Sequence, residues 1–263
     1  MNNKIIFKIT SRILFLISVC ISFFLITASF SLGKKLQPIQ KGTLKIVFIN
    51  TANGKLITLR DSIYSNYFGE QYHINKLKYY VSNIILSGKQ IVKYPENYYL
   101  VNAASDDNSF ELTIPQGNYN NLEFLLGVDS SRNCSGAQTG ALDPMNDMFW
   151  TWNSGYVMFK LEGNSPASAA DLQRIEHHIG GYKGANNVAT KINFNFSIDK
   201  SLEIKANNTT EILIETNLDN YWHGKTDIKI SELALCTITG DLAKKIASNF
   251  QDLFSIKSIR SIP

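Results

Sequence analysis

Histidine, cysteine and clustered charge are all scarce in this chain, and each shortage excludes something. Only four histidines stand among 263 residues, His73, His177, His178 and His223, so any metal chemistry rests on few imidazoles. Of three cysteines, Cys134 and Cys236 lie outside the N-terminal apolar run. Neither has a histidine a few residues downstream, which excludes a blue-copper site. No Gly-x-Ser-x-Gly is present, and no Ser or Cys has an obvious base beside it, so nucleophilic catalysis finds little support. A triad assembled by the fold stays open, and with it an unaided hydrolase or oxidoreductase. No Lys/Arg patch alternates with aromatics, which argues against nucleic acid. The 26 basic and 22 acidic residues become 23 against 22 once Lys4, Lys8 and Arg12 are set aside. Internal repeats, low-complexity blocks and alternating α and β units are absent, so a doubly wound fold is excluded.

What is there begins with those three basic residues. The uncharged run Ile13–Ile26 follows them, and then the small residues Thr27, Ala28, Ser29 and Ser31. That order reads as a secretory signal over residues 1–31, cleaved after Ser29 or Ser31. The run is shorter than the roughly 20 residues a spanning helix needs, and an uncleaved anchor is the alternative. Cys20 does not read as a lipidated cysteine, because Val19 is too large for the preceding position and the apolar run continues past it. No later stretch could span a membrane. The mature protein is therefore expected in the periplasm or outside the cell, in a Gram-negative envelope. Export makes a Cys134–Cys236 disulfide possible, with two separate buried thiols as the alternative.

Residues 32–42 are polar with Pro38 and read as a linker, and residues 43–263 as one β-domain. Strand signals recur at Thr43–Asn50, Tyr72–Ser87, Tyr98–Asn102, Phe110–Ile114, Leu122–Val128, Tyr156–Leu161, Ile192–Ile198 and Glu211–Thr216, separated by Gly, Pro and Asn turns. Many short alternating strands predict an all-β fold, an antiparallel β-sandwich. Leu242, Ile246, Phe250 and Leu253 fall at helical spacing, with Asp241 as N-cap, and predict one short C-terminal helix.

Between Val128 and Tyr156 the β pattern stops. A loop this long inside a compact domain is functional or disordered, and Phe149, Trp150, Trp152 and Tyr156 would be costly to leave in water. An ordered functional loop is the better reading. Asp129-x-Ser131-x-Asn133 looks like the opening of a calcium loop, but it has Cys134 where Gly is needed and Gly140 where the bidentate Glu is needed. Asp129, Asn133, Gln138 and Asp143 are instead expected to bond to loop backbone. Trp150 and Trp152 would share a face in extended backbone, either as a platform or as core. The adjacent His177 and His178 would point to opposite faces of a strand, so at most one enters a given site.

Gly127-Val-Asp-Ser-Ser-Arg-Asn-Cys-Ser-Gly-Ala-Gln-Thr-Gly-Ala-Leu-Asp-Pro144 resembles the signature of MbnP-like proteins, exported proteins associated with copper in methanobactin systems. Met148-Phe-Trp-Thr-Trp-Asn-Ser-Gly-Tyr156, Phe159-Lys-Leu-Glu-Gly163, His178-Ile-Gly-Gly181 and Leu77-Lys-Tyr-Tyr-Val-Ser-Asn-Ile84 continue the match, from about residue 43 to 256. The resemblance implies a β-sandwich with a single copper site, and no catalysis. It implies that Trp150 or Trp152 is the counterpart of a tryptophan oxidised to kynurenine by a separate di-haem peroxidase-like enzyme. It implies His178 as the imidazole ligand, with His177, His73 or His223 as sources of a further donor. The His-rich tail of many relatives is missing here: Leu253-Phe-Ser-Ile256 leads only to Lys257-Ser-Ile-Arg-Ser-Ile-Pro263. The rival reading is therefore a non-metal envelope module that keeps the fold and uses the Trp150/Trp152 surface for a sugar, peptide or protein.

Overall fold

Alternation of apolar and polar residues makes the first strand, β1 (Lys41–Ala52), and turns Leu44, Ile46 and Phe48 inward. Burying each such side chain contributes about 1.5–3 kcal/mol. The computed structural model describes residues 38–136, 138–151, 154–197 and 201–262. The expected signal peptide lies outside them, as does most of the linker. Strands follow as β2 (Lys55–Leu56), β3 (Tyr64–Ser65), β4 (Gln71–Gly88), β5 (Ile91–Asn102), β6 (Ser109–Pro115) and β7 (Gly117–Leu126). The short helix α1 (Ser130–Asn133) precedes β8 (Phe149–Thr151), β9 (Gly155–Asn164), β10 (Arg174–Gly180), β11 (Thr190–Asn195), β12 (Leu202–Ile204) and β13 (Thr209–Asn217). After α2 (Asp219–Trp222) come β14 (Leu235–Cys236), α3 (Asp241–Ala247) and β15 (Phe254–Ile262).

Two sheets form the predicted sandwich. One runs β15-β13-β1, with β2 and β6 also paired to β1. The larger runs β11-β7-β4-β9-β10-β14 and takes up β3, β5, β8 and β12. Pairing is antiparallel except for β1 with β13 and β10 with β14, which run parallel. An aromatic cluster fills the space between the sheets: Phe48 meets Tyr79 and Phe124 at 6.1 and 5.9 Å, and Phe124 meets Phe254 at 5.3 Å. The Tyr79 hydroxyl bonds Asn50 Oδ1 at 3.0 Å and Thr216 Oγ1 at 2.7 Å.

Three details differ from the sequence reading. The strand expected at Tyr98–Asn102 begins at Ile91, because β5 pairs along its length with β4 alone and tolerates Pro95. In α3 the buried residues are Ala243, Ile246 and Ala247, while Leu242 is exposed and Asp241 sits in the first turn after the N-cap Gly240. The tail from Phe254 is a strand, β15, antiparallel to β13.

Long β4 organises the larger sheet. It pairs with β9 over His73–Tyr79, with β7 over Val81–Gly88 and with β5 over Lys78–Ser87. Asn83 sits at a bulge in this strand, with φ +51°.

Candidate functional site

The segment between β7 and β9 is pinned from within. Asp129 caps α1, accepting from Arg132 N at 3.1 Å and from the Ser131 hydroxyl. Its other oxygen accepts from the Tyr98 hydroxyl and from Asn83 Nδ2. Burial works to raise the Asp129 carboxyl, but these donors outweigh it and hold it below its usual value. Asn133 is buried: its Nδ2 donates to Val128 O and Asp129 O, and its Oδ1 accepts from Tyr156 N at 2.8 Å. That last contact needs Gly155, at φ +72°, where a Cβ would collide with Asn133 Oδ1. Gln138 accepts from Arg132 Nη1 at 3.0 Å and donates to Ser135 O. Asp143 accepts from Met145 N and opens a 3-10 turn over Pro144–Asn146. Tyr80 and Tyr156 reach up from the sheet to the carbonyls of Ala141 and Leu142.

An ionic network fastens the loop to the sheet. Lys160, only 3% exposed, donates to Asp147 O and lies 3.1 Å from Asp147 Oδ1. Lys76 bridges Asp147 Oδ2 at 2.6 Å and Glu162 Oε2 at 3.1 Å. Lys78 donates to Asn146 O at 2.9 Å. His178 Nε2 bonds Glu162 Oε1 at 2.9 Å. That bond, with Lys76 and Lys160 nearby, outweighs burial and brings the Glu162 carboxyl down to about 2. Lys160 and Glu162 alternate onto one face of β9, a signal visible in Phe159-Lys-Leu-Glu-Gly163 to which sequence reasoning assigned no role.

The four histidines are not gathered. His177 is fully buried, with Nδ1 at 2.7 Å from the Tyr221 hydroxyl and Nε2 at 2.8 Å from Leu233 O. A carbonyl only accepts, so Nε2 carries the proton and Nδ1 accepts from Tyr221. No ring nitrogen is left for a metal. Burial, opposed by the Leu233 bond, pushes its pKa down to about 4. His223 stacks on Tyr67 at 3.7 Å and bonds Asp227 Oδ1 at 2.7 Å. His73 faces Asn164 in the β4–β9 register, whereas His178 faces Lys160. Four residues and two strands therefore separate His73 from His178, roughly 15 Å by sheet geometry. Among the described residues, no group of three or more His, Cys, Asp and Glu is placed to hold a metal ion. Cys134 and Cys236 are free thiols, the first exposed and the second buried.

His178 has a different environment. Its Nε2–H donates to the Glu162 carboxylate, which leaves the lone pair on Nδ1, and Nδ1 makes no hydrogen bond among the described residues. Two residues beyond His178 on β10 is Gly180, where a Cβ would lie 2.6 Å from Trp150 Cζ3 and 3.0 Å from Cη2. The Trp150 ring therefore packs against Gly180, next to the irregularity where the β9–β10 register shifts between Ile179 and Gly180. Trp152 lies outside the described residues.

These elements define an all-β domain with an ordered, ionically clamped loop over one sheet. The chain belongs to the MbnP family, whose model matches residues 41–238. Among solved structures the fold is similar to MbnP from Methylosinus trichosporium, with a TM-score of 0.51 and 13% identity over 72% of this chain and 80% of that one. No curated protein matches the sequence. No helix among the described residues is long and apolar enough to cross a membrane.

Proposed function

We propose that this MbnP-family chain is an exported binding protein that carries one copper ion at the His178–Trp150 face, without catalysing a reaction. The observation that carries the reading is the His178–Glu162 bond. Metal-ligating histidines donate their second ring N–H to a carboxylate or carbonyl, which fixes the tautomer and raises ligand basicity, and His178 is held in that way. Nδ1 is then the ligand atom. His177 and His73 do not supply a second imidazole here, for the reasons of bonding and distance given above. The further donor comes from the loop. Of the Trp150 ring, the six-membered part carries the atoms nearest Gly180. The five-membered part is the one that conversion to kynurenine by a di-haem peroxidase-like partner would open.

Titration of the purified mature protein with Cu(I) under a competing chelator tests the site. Binding near one equivalent is expected, with loss in His178→Ala and retention in His223→Ala; unchanged binding in His178→Ala would refute the assignment. Intact-mass and peptide mapping of protein from its native host reports leader cleavage and any oxidised tryptophan, and finding Trp150 and Trp152 both unmodified removes the kynurenine arm.

A second reading is favoured by the ionic network. Lys76 and Lys160 already neutralise the carboxylates beside His178, so a module without metal would be stable as it stands. Its signature would be no copper uptake together with ligand-dependent quenching of tryptophan fluorescence.

A further inference from the structure

The first half of the signature loop borders a cleft that the copper reading does not use. It has a volume of about 620 Å³ and lies between the β4 bulge, the start of β5, the outer face of β7 and the entry to β11. None of the four histidines lines it. That volume falls within the range of small-molecule sites. Three features give it a chemistry.

The first is its floor. Leu122, Phe124 and Leu126 of β7 point into the core, so Glu123 and Leu125 point outward. An outer face is normally polar, yet Leu125 and Ile85 are half-buried there and line the cleft together with Ala189 and Tyr94. The second is Asn83. It is held at φ +51° on a bulge inside a strand, a conformation that non-glycine residues keep where the surroundings impose it and that clusters at ligand sites. Its Nδ2 is anchored to Asp129 Oδ2, while its Oδ1 is buried without a hydrogen-bond partner. A buried acceptor with no donor is a group that a ligand N–H or O–H would satisfy. The third is charge. Asp129 has its carboxylate saturated by four donors. Glu123 is paired with Lys191 at 3.3 Å. Lys93 is exposed on the lip and has no ion pair among the described residues.

From these we infer that the cleft binds a small amphipathic anion: a flat apolar body on Ile85, Leu125 and Ala189, an anionic group at Lys93, and an N–H or O–H donated to Asn83 Oδ1. The Asp129 end of the loop thus walls this cleft, while its Asp147 end holds the His178 network. The inference is independent of copper.

The probe is 8-anilino-1-naphthalenesulfonate, which carries an apolar bicycle, an anion and an N–H. Titrated into the folded, copper-free mature protein, it should bind near one to one with enhanced, blue-shifted emission. Lys93→Glu, an exposed change, should weaken binding about tenfold by replacing attraction with repulsion. Ala189→Phe should fill the cleft and abolish binding, and Lys55→Glu on β2, exposed and without an ion pair among the described residues, should stay within about twofold of wild type. Near-UV circular dichroism checks that each variant is folded. Equal affinity in wild type, Lys93→Glu and Ala189→Phe, or a stoichiometry well above one, would overturn the inference.

Discussion

Adjacent His177 and His178 meet opposite environments because a strand turns consecutive side chains to opposite faces. That division is legible in the sequence; which of the two is buried is not, since it depends on where α2 and the Leu233 carbonyl arrive. The consequence for His177 is thermodynamic. Its folded pKa of about 4 lies below the usual unfolded value near 6.5. The unfolded chain therefore takes up the proton first, and the stability from keeping His177 neutral is lost as pH falls from 6.5 towards 4, on the order of 3 kcal/mol. Glu162, held near 2, contributes in a second window: its stabilisation is present above about 4.5 and fades below that. Denaturant midpoints measured between pH 7 and pH 3 should fall in these two steps. The first step should disappear in His177→Gln, and a first step that survives the substitution would assign it to another group.

At the scale of elements, the loop was recognisable as ordered from its aromatic content, but its fastenings were not. Lys160 and Asp147 meet only because β9 passes under the Pro144–Asn146 turn, and sequence spacing carries no trace of that. Asn133→Ala should cost about 2 kcal/mol, since it removes three hydrogen bonds and leaves the buried Tyr156 N–H without its acceptor. Thermal melting measures this, and a loss under a few tenths of a kcal/mol would mean the loop relaxes around the gap. Gly180→Ala should displace the Trp150 ring, which a red shift in tryptophan emission would report, with a matching loss of Cu(I) affinity if the ring shields the ion. The short C-terminal helix was placed correctly, yet its inward face was read from large residues, and Ala243 and Ala247 do the packing that Leu242 was expected to do. The signal was lost because alanine is a weak marker of a buried stripe. Asn83 and Lys93 were invisible for a related reason: a bulge conformation and an unpaired lysine leave no pattern in the chain.

Over the whole molecule, the sandwich followed from the alternating strands, and the final strand did not. The segment Phe254–Ile262 carries Ser, Lys and Arg between its isoleucines and sits at the sheet edge, where six of its nine residues are exposed. There Lys257 and Arg260 satisfy Glu215 and Glu211, whose side chains are nearly buried. Removing residues 255–263 should leave Glu215 without its cation, leave Glu211 with only Lys45 at 3.9 Å, and open an edge on β13. Size-exclusion chromatography should find the truncated chain aggregated or strongly destabilised; a stable monomer would make β15 dispensable.

The parallel pairing of β1 with β13 has one more implication, for the order of assembly in time. Thr43 sits beside Thr209, and Thr51 beside Asn217. The first strand of the domain thus waits for one more than 150 residues later before its central neighbour exists. Contacts of such long range are made late and slowly. The smaller sheet therefore closes only once β13 is present, and on whichever side of a membrane β13 emerges.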